Sequence, residues 1–206
     1  MHVLSALFDA SESATKIFTV GMMASSIARR GVATASTLSS APAYLSEAPY
    51  CNPLGGDAPV LARGACHCGA VAFEATGWPV DAKLCHCRDC QRLHGAPYQW
   101  AAIMHKKDIR FTRGLDQLAF YESGSGAHER VLPCKVSCAR CRAPIADEGR
   151  RMWMAFPPLF DFGHGGPAAV PARFRPTCHI FAGAAVLPLL DDLPKWAGHK
   201  GKSPLL

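Results

Sequence analysis

The chain has 206 residues, enough for one ordinary domain with or without an arm, and its 49% hydrophobic and 18% charged composition fits a globular protein rather than a disordered one. A net charge of +6 favours anionic ligands, but no run of five basic residues occurs, which argues against dedicated nucleic-acid binding. No apolar stretch approaches the roughly 20 residues of a membrane span. The longest, Ile17–Ala24 and Ala182–Leu190, are short, and Pro188 interrupts the second.

Residues 1–59 read as an N-terminal arm and linker, and residues 60–206 as the folded domain. The first 50 residues are rich in Ser, Ala and Thr. No acidic residue lies between Ser13 and Ser46, while Lys16, Arg29 and Arg30 are present. This is the composition of a weak mitochondrial transit peptide over residues 1–46, with Met22 and Met23 as further starts. The alternative is a plain disordered extension on a cytoplasmic protein. "APAYLSEAPYCNPLGGDAP" then has the Pro and Gly of a linker.

From about Val60 the texture is that of an all-β domain. Strands are predicted at Val71–Thr76, Tyr98–His105, Asp108–Thr112, Leu118–Ser123, Glu129–Ser137, Arg151–Phe156 and Cys178–Gly183, separated by Gly, Pro and Asp turns. "RDCQRLHG" (Arg88–Gly95) reads as a short helical turn, and Phe160–Pro176 as a Gly/Pro-rich loop. Trp100 and Trp153 are expected in the core.

The ten cysteines carry the chemistry. Their C-x-C spacing, in Cys66/Cys68 and Cys85/Cys87, is awkward for disulfides and natural for metal, which implies a reducing compartment. On an extended backbone, residues two apart share a face, so Cys66 and Cys68 present two thiolates to one ion. Gly69 permits the tight turn of a metal knuckle. Cys138 and Cys141, in C-x-x-C spacing, bring the set to four and predict a closed structural zinc site.

The second cluster is "LCHCRDC". Cys85 and Cys87 share a face, and Cys90 follows Cys87 by one helical turn. After the first site takes its four, only Cys51, Cys134 and Cys178 remain, none beside another ligand. Three thiolates with an open fourth position mark a catalytic zinc. The alternative is a second structural site completed by His86, His94 or Cys134. His67 and His86 each sit between two ligands, so their side chains are expected to point away from the metal face. Three thiolates on Zn²⁺ leave a net charge of −1, poor for hydrolysis but suited to binding an incoming thiol, which zinc deprotonates. Such a site would run chemistry between that sulfur and an electrophilic carbon.

"CHCGAV", "CHCRDCQRLHG" and "SCARCRAPI" together resemble the glutathione-dependent formaldehyde-activating enzymes, a family that includes centromere protein V. The resemblance runs from about Arg63 to Trp196, taking in "RPTCHIF" and "DLPKW". It implies an Mss4-like zinc-binding β-fold and two zinc ions per chain. It places a structural ion on Cys66, Cys68, Cys138 and Cys141, and a catalytic one on Cys85, Cys87 and Cys90. It also implies glutathione as co-substrate, a small aldehyde such as formaldehyde as its partner, S-hydroxymethylglutathione as the product and classification as a carbon–sulfur lyase. Many members have Gly after the last zinc cysteine, where this chain has Arg142, a local difference of turn.

Arg88 and Arg92 flank the triad and are candidates for the carboxylates of glutathione, through charge-assisted hydrogen bonds. The plainer reading is two solvated arginines. His94 is either a general base or a structural histidine before Gly95. A non-catalytic, zinc-stabilised binding module of the centromere protein V type is the alternative function, mildly supported by the basic tail at Lys195, Lys200 and Lys202. Nothing in the sequence sets an oligomeric state.

Overall fold

Alternation of small or apolar residues with polar ones produces short strands with one face inward. In β3 (Asp81–Cys85) and β7 (Cys134–Cys138) every second residue is buried. The computed structural model describes residues 41–51 and 58–206. The remaining strands are β1 (Ala62–Ala65), β2 (Ala72–Ala75), β4 (Gln99–His105), β5 (Ile109–Arg113), β6 (Leu118–Tyr121), β8 (Pro144–Glu148), β9 (Met152–Ala155) and β10 (His179–Ile180). The α-helix, α1, spans Arg88–His94. The protein is all-β, as expected.

Two sheets form, one of three strands in the order β1-β2-β5 and one of seven in the order β10-β3-β4-β9-β8-β7-β6. Every pairing is antiparallel except β10 with β3. The core is aromatic. Phe73 and Phe111 come from the small sheet, Trp153 and Met104 from the large one, and Phe160 and Phe174 from the long loop between β9 and β10. Trp153 is buried as expected, while Trp100 is only partly covered and donates its indole N–H to the Phe174 carbonyl at 3.0 Å.

Several elements differ from the sequence-based expectation. β1, β3 and β8 were not anticipated, because "ARGA" and "DAKLC" have no β-branched or aromatic residue and "PIADE" has only Ile145. Pro144 is tolerated as the first residue of β8. The strand expected over Glu129–Ser137 begins only at Cys134, since Pro133 has no N–H to give a ladder. The Phe160–Pro176 loop carries 3₁₀ turns at Gly166–Ala169 and Ala172–Phe174.

Ala41–Cys51, linker-like in composition, packs against the domain. Tyr50 is 1% exposed, stacks on Phe111 with ring centroids 5.7 Å apart, and meets the Trp153 edge at 6.2 Å. Its hydroxyl donates to Glu148 Oε2 at 2.6 Å. Glu148, fully buried, also receives Lys106 and Arg130, each at 2.6 Å. Burial alone would raise the Glu148 carboxyl, but these donors outweigh it and hold it below its ordinary range. The transit-like stretch lies, up to residue 40, outside the described residues.

Candidate metal centres

The first centre joins two chain turns that are distant in sequence. Cys66 and Cys68 follow β1 in a tight knuckle: Gly69 N–H bonds the Cys66 carbonyl at 2.9 Å, and the Val71 N–H points at Cys66 Sγ from 3.3 Å. Gly69 has φ +71°, a left-handed conformation that glycine adopts freely. The matching knuckle ends β7. Cys141 N–H points at Cys138 Sγ from 3.5 Å, and Arg142 N–H bonds the Cys138 carbonyl at 2.9 Å. Arg142 occupies the left-handed position of that turn, at φ 63°.

The four sulfurs lie within 4.8 Å of one another. Cys66 Sγ is 3.6 Å from Cys68 Sγ, and Cys68 Sγ is 3.9 Å from Cys138 Sγ. Four ligands at the usual zinc–sulfur length of about 2.3 Å stand about 3.8 Å apart at the corners of a tetrahedron. These two spacings bracket that figure, so the cluster fits a zinc ion. No disulfide occurs among the ten cysteines.

The second centre is local. Cys85 ends β3, Cys87 is the N-cap of α1, and Cys90 lies in its first turn. The Cys87 sulfur accepts the Cys90 N–H at 3.4 Å, so the cap itself turns the sulfur toward its partners. All three sulfurs lie within 4.8 Å of one another, and among the described residues no His, Cys, Asp or Glu joins them. His86 turns away, with Nε2 2.8 Å from His179 Nδ1, and His179 Nε2 meets Asp191 Oδ1 at 2.9 Å. His94 stands edge-on to Phe156, with ring centroids 4.9 Å apart. Burial and the neighbouring Glu148 push the Cys134 thiol up to about 12.

The three thiols are electrostatically frustrated without a cation. Hydrogen bonding from Cys90 draws Cys85 down to about 6 against its burial, and Lys135 adds to the effect. In response Cys90 is driven far up by Cys85, by burial and by Cys87, while Cys87 rises through burial and the Cys85 charge. Like charges sharing a site cannot all ionise, and a divalent ion resolves the conflict.

Arg92 reaches a groove beside this centre that Asp89, Leu93, Tyr121 and Ser123 complete. Arg88 instead donates to Gln91 Oε1 at 3.2 Å, and Gln91 ties the helix down by bonding the His86 and Ala184 carbonyls. Sequence reasoning missed Lys135 and Asp147, whose side chains meet at 2.8 Å under the helix. The one signal was the lone charged residue of β7. No helix among the described residues is long and apolar enough to cross a membrane.

A crystal structure of a Rhodobacter sphaeroides protein is similar, at 25% identity over 50% of this chain and 91% of that one, with a TM-score of 0.41. No curated protein matches the chain. The family described as glutathione-dependent formaldehyde-activating enzyme matches residues 61–184, more than half of the chain and a span that holds both cysteine clusters. The chain belongs to the glutathione-dependent formaldehyde-activating enzyme family.

Proposed function

We propose that the protein is a zinc-dependent carbon–sulfur lyase that interconverts glutathione, a small aldehyde such as formaldehyde, and their S-hydroxymethyl adduct. The observation that carries this reading is the contrast in ligand number: four sulfurs converge at one centre and three at the other. Cys66, Cys68, Cys138 and Cys141 would hold a structural ion. Cys85, Cys87 and Cys90 would hold the second, leaving one position for the sulfur of glutathione. Zinc held there supplies a positive centre that stabilises the incoming sulfur as a nucleophilic thiolate.

The chain's own residues do the rest. The Cys87 cap and the Gln91 bonds fix the helix that carries Cys90. Arg92, exposed on the groove, is placed to meet a carboxylate of glutathione. Arg88, bonded to Gln91, serves the helix first. A chain with seven free ligand cysteines works in a reducing compartment such as the cytoplasm.

Calorimetry with glutathione and S-methylglutathione tests this. The two share peptide and carboxylates, but only the first can become a thiolate. Glutathione is expected to bind at least about 100-fold more tightly, and to release a proton seen as a dependence on buffer ionisation enthalpy. Equal affinities without proton release would overturn the reading and leave a zinc-stabilised binding module.

A further inference from the structure

Beside the three-cysteine centre, α1 and strands β6, β7 and β8 enclose a cavity of about 230 Å³. Phe156 and Val136 give it apolar walls, and Lys135 from β7 and Asp147 from β8 bring charge into it. These two are register partners, with Nζ 2.8 Å from Oδ2. Gln99, 4% exposed, donates its amide to the same Oδ2 at 2.8 Å. One carboxylate oxygen thus takes both donors. Asp147 Oδ1 is buried without a partner among the described residues, an unmet acceptor that a purely structural ion pair has no reason to bear. An ammonium also has three N–H donors, and Asp147 takes one.

The pair is tied to the triad through the sheet: Cys85 is the register partner of Gln99, which bonds Asp147, and Leu93 and His94 of the helix that carries Cys90 line the same cavity. Burial works against the Lys135 charge, and the Asp147 carboxylate outweighs it.

We propose that this cavity is the pocket for the electrophile, and that Lys135 is a catalytic residue that donates a hydrogen bond to the carbonyl oxygen of a small aldehyde. Asp147 is the positioning residue that aims it. The proposal rests on the thiol–aldehyde reading above. In the step, a sulfur lone pair forms the carbon–sulfur bond and the carbonyl π pair moves onto oxygen. Lys135 holds that oxygen by its hydrogen bond while water protonates it, replacing the proton the thiol released to solvent. Nothing is oxidised or reduced, and the product hydroxyl donates to the idle Asp147 Oδ1.

The test uses the full chain loaded with zinc, ¹³C-formaldehyde and glutathione, with adduct formation followed by exchange NMR and glutathione affinity by calorimetry. Lys135→Gln keeps a donor for Asp147 but removes the charge. It is expected to slow exchange about 100-fold while glutathione affinity stays within about 3-fold, and Lys135→Arg to recover most of the rate. A rate for Lys135→Gln within about 3-fold of the wild type overturns the proposal and leaves the thiol reading intact. A loss of rate matched by an equal loss of glutathione affinity overturns it too, since Lys135 would then be binding the thiol substrate. A wild-type chain that binds glutathione yet does not speed exchange overturns the lyase reading, and the role of Lys135 with it. Should Lys135→Gln fail to fold, Asp147→Asn replaces it. An exchange rate about 10-fold lower at unchanged glutathione affinity supports the proposal, and an unchanged rate overturns it.

Discussion

The two cysteine clusters use the same side chain and the same C-x-C opening, yet they sit differently in the fold. The four-cysteine cluster joins the end of β1 in the small sheet to the end of β7 in the large one, and Cys68 and Cys138 are 70 positions apart. Its ligands close a long loop, so a metal there opposes a large loss of chain entropy. The three-cysteine cluster spans one strand end and one helical turn, Cys85 to Cys90. Little chain is ordered by closing it, and its ligand set stops at three among the described residues. Sequence separation thus sorts the clusters by task. On the proposed reading, the distant one holds the sheets together and the local one presents a reactive position.

The sharpest break of that comparison is Cys138→Ser. Structural zinc in small domains contributes on the order of 10 kcal/mol, against a total stability of about 5–15 kcal/mol. Cys138→Ser is therefore expected to abolish cooperative unfolding at ambient temperature, as read by circular dichroism. Cys90→Ser is expected to lower the metal count from two ions per chain to one, to abolish tight glutathione binding and to lower the melting temperature by only about 10 °C. Equal loss of fold in both variants would erase the distinction between the centres, and one ion in the wild type would remove it at the root. Metal analysis under reducing conditions reads both.

The sheets have a second tie without metal, and it sharpens what the cysteine clip contributes. Tyr50 packs between Phe111 of the small sheet and Trp153 of the large one, and bonds Glu148. Tyr50→Phe keeps the packing and removes one bond to a buried carboxylate, a loss of about 2 kcal/mol in urea unfolding. The same bond carries a pH signature. Glu148 is held below its unfolded value of 4.5, so the stability it contributes is present above that pH and is lost as pH falls through the lower folded value. The wild-type advantage over Tyr50→Phe is expected to persist at neutral pH and to shrink in that acidic window, with zinc content checked at each pH. Deleting residues 1–40 should leave stability nearly unchanged. Extending the deletion through Cys51 should cost about 4 kcal/mol, the scale of emptying an aromatic core site.

This second tie was invisible in the sequence, whereas both clusters were legible. The cysteine spacings encode local geometry, since a C-x-C on an extended chain and a C-x-x-C at a helix start bring sulfurs together whatever the remainder does. The union of Cys66/Cys68 with Cys138/Cys141 follows once a four-ligand shell is required. Tyr50 gives no such signal, because "APAYLSEAPYC" is Pro-rich and its burial depends on where Phe111 and Trp153 end up. Lys135 and Asp147 were hidden for the same reason: only the β7–β8 register sets them opposite each other. β1 and β8 escaped because they are short, with mostly small or charged residues, and are strands chiefly because their neighbours pair with them.

The smallest expected effect lies inside the four-cysteine centre, where the left-handed position of each knuckle holds a different residue type. Gly69 and Arg142 both hold a left-handed backbone, at φ +71° and 63°. A residue with a Cβ is disfavoured there by about 1 kcal/mol or slightly more, while replacing it by glycine loosens the unfolded chain at a cost of about 0.4–1 kcal/mol. Arg142→Gly is thus expected to leave stability unchanged or to raise it by up to about 1 kcal/mol. Gly69→Ala should lower stability by about 1–2 kcal/mol through backbone strain alone, because only Arg113 Nη2 lies within 4 Å of the added Cβ, at 3.8 Å. Paired urea titrations at saturating zinc measure both. If Arg142→Gly is destabilising by more than about 1 kcal/mol, the arginine side chain is stabilising the knuckle, and the two turns are not equivalent halves of one clip.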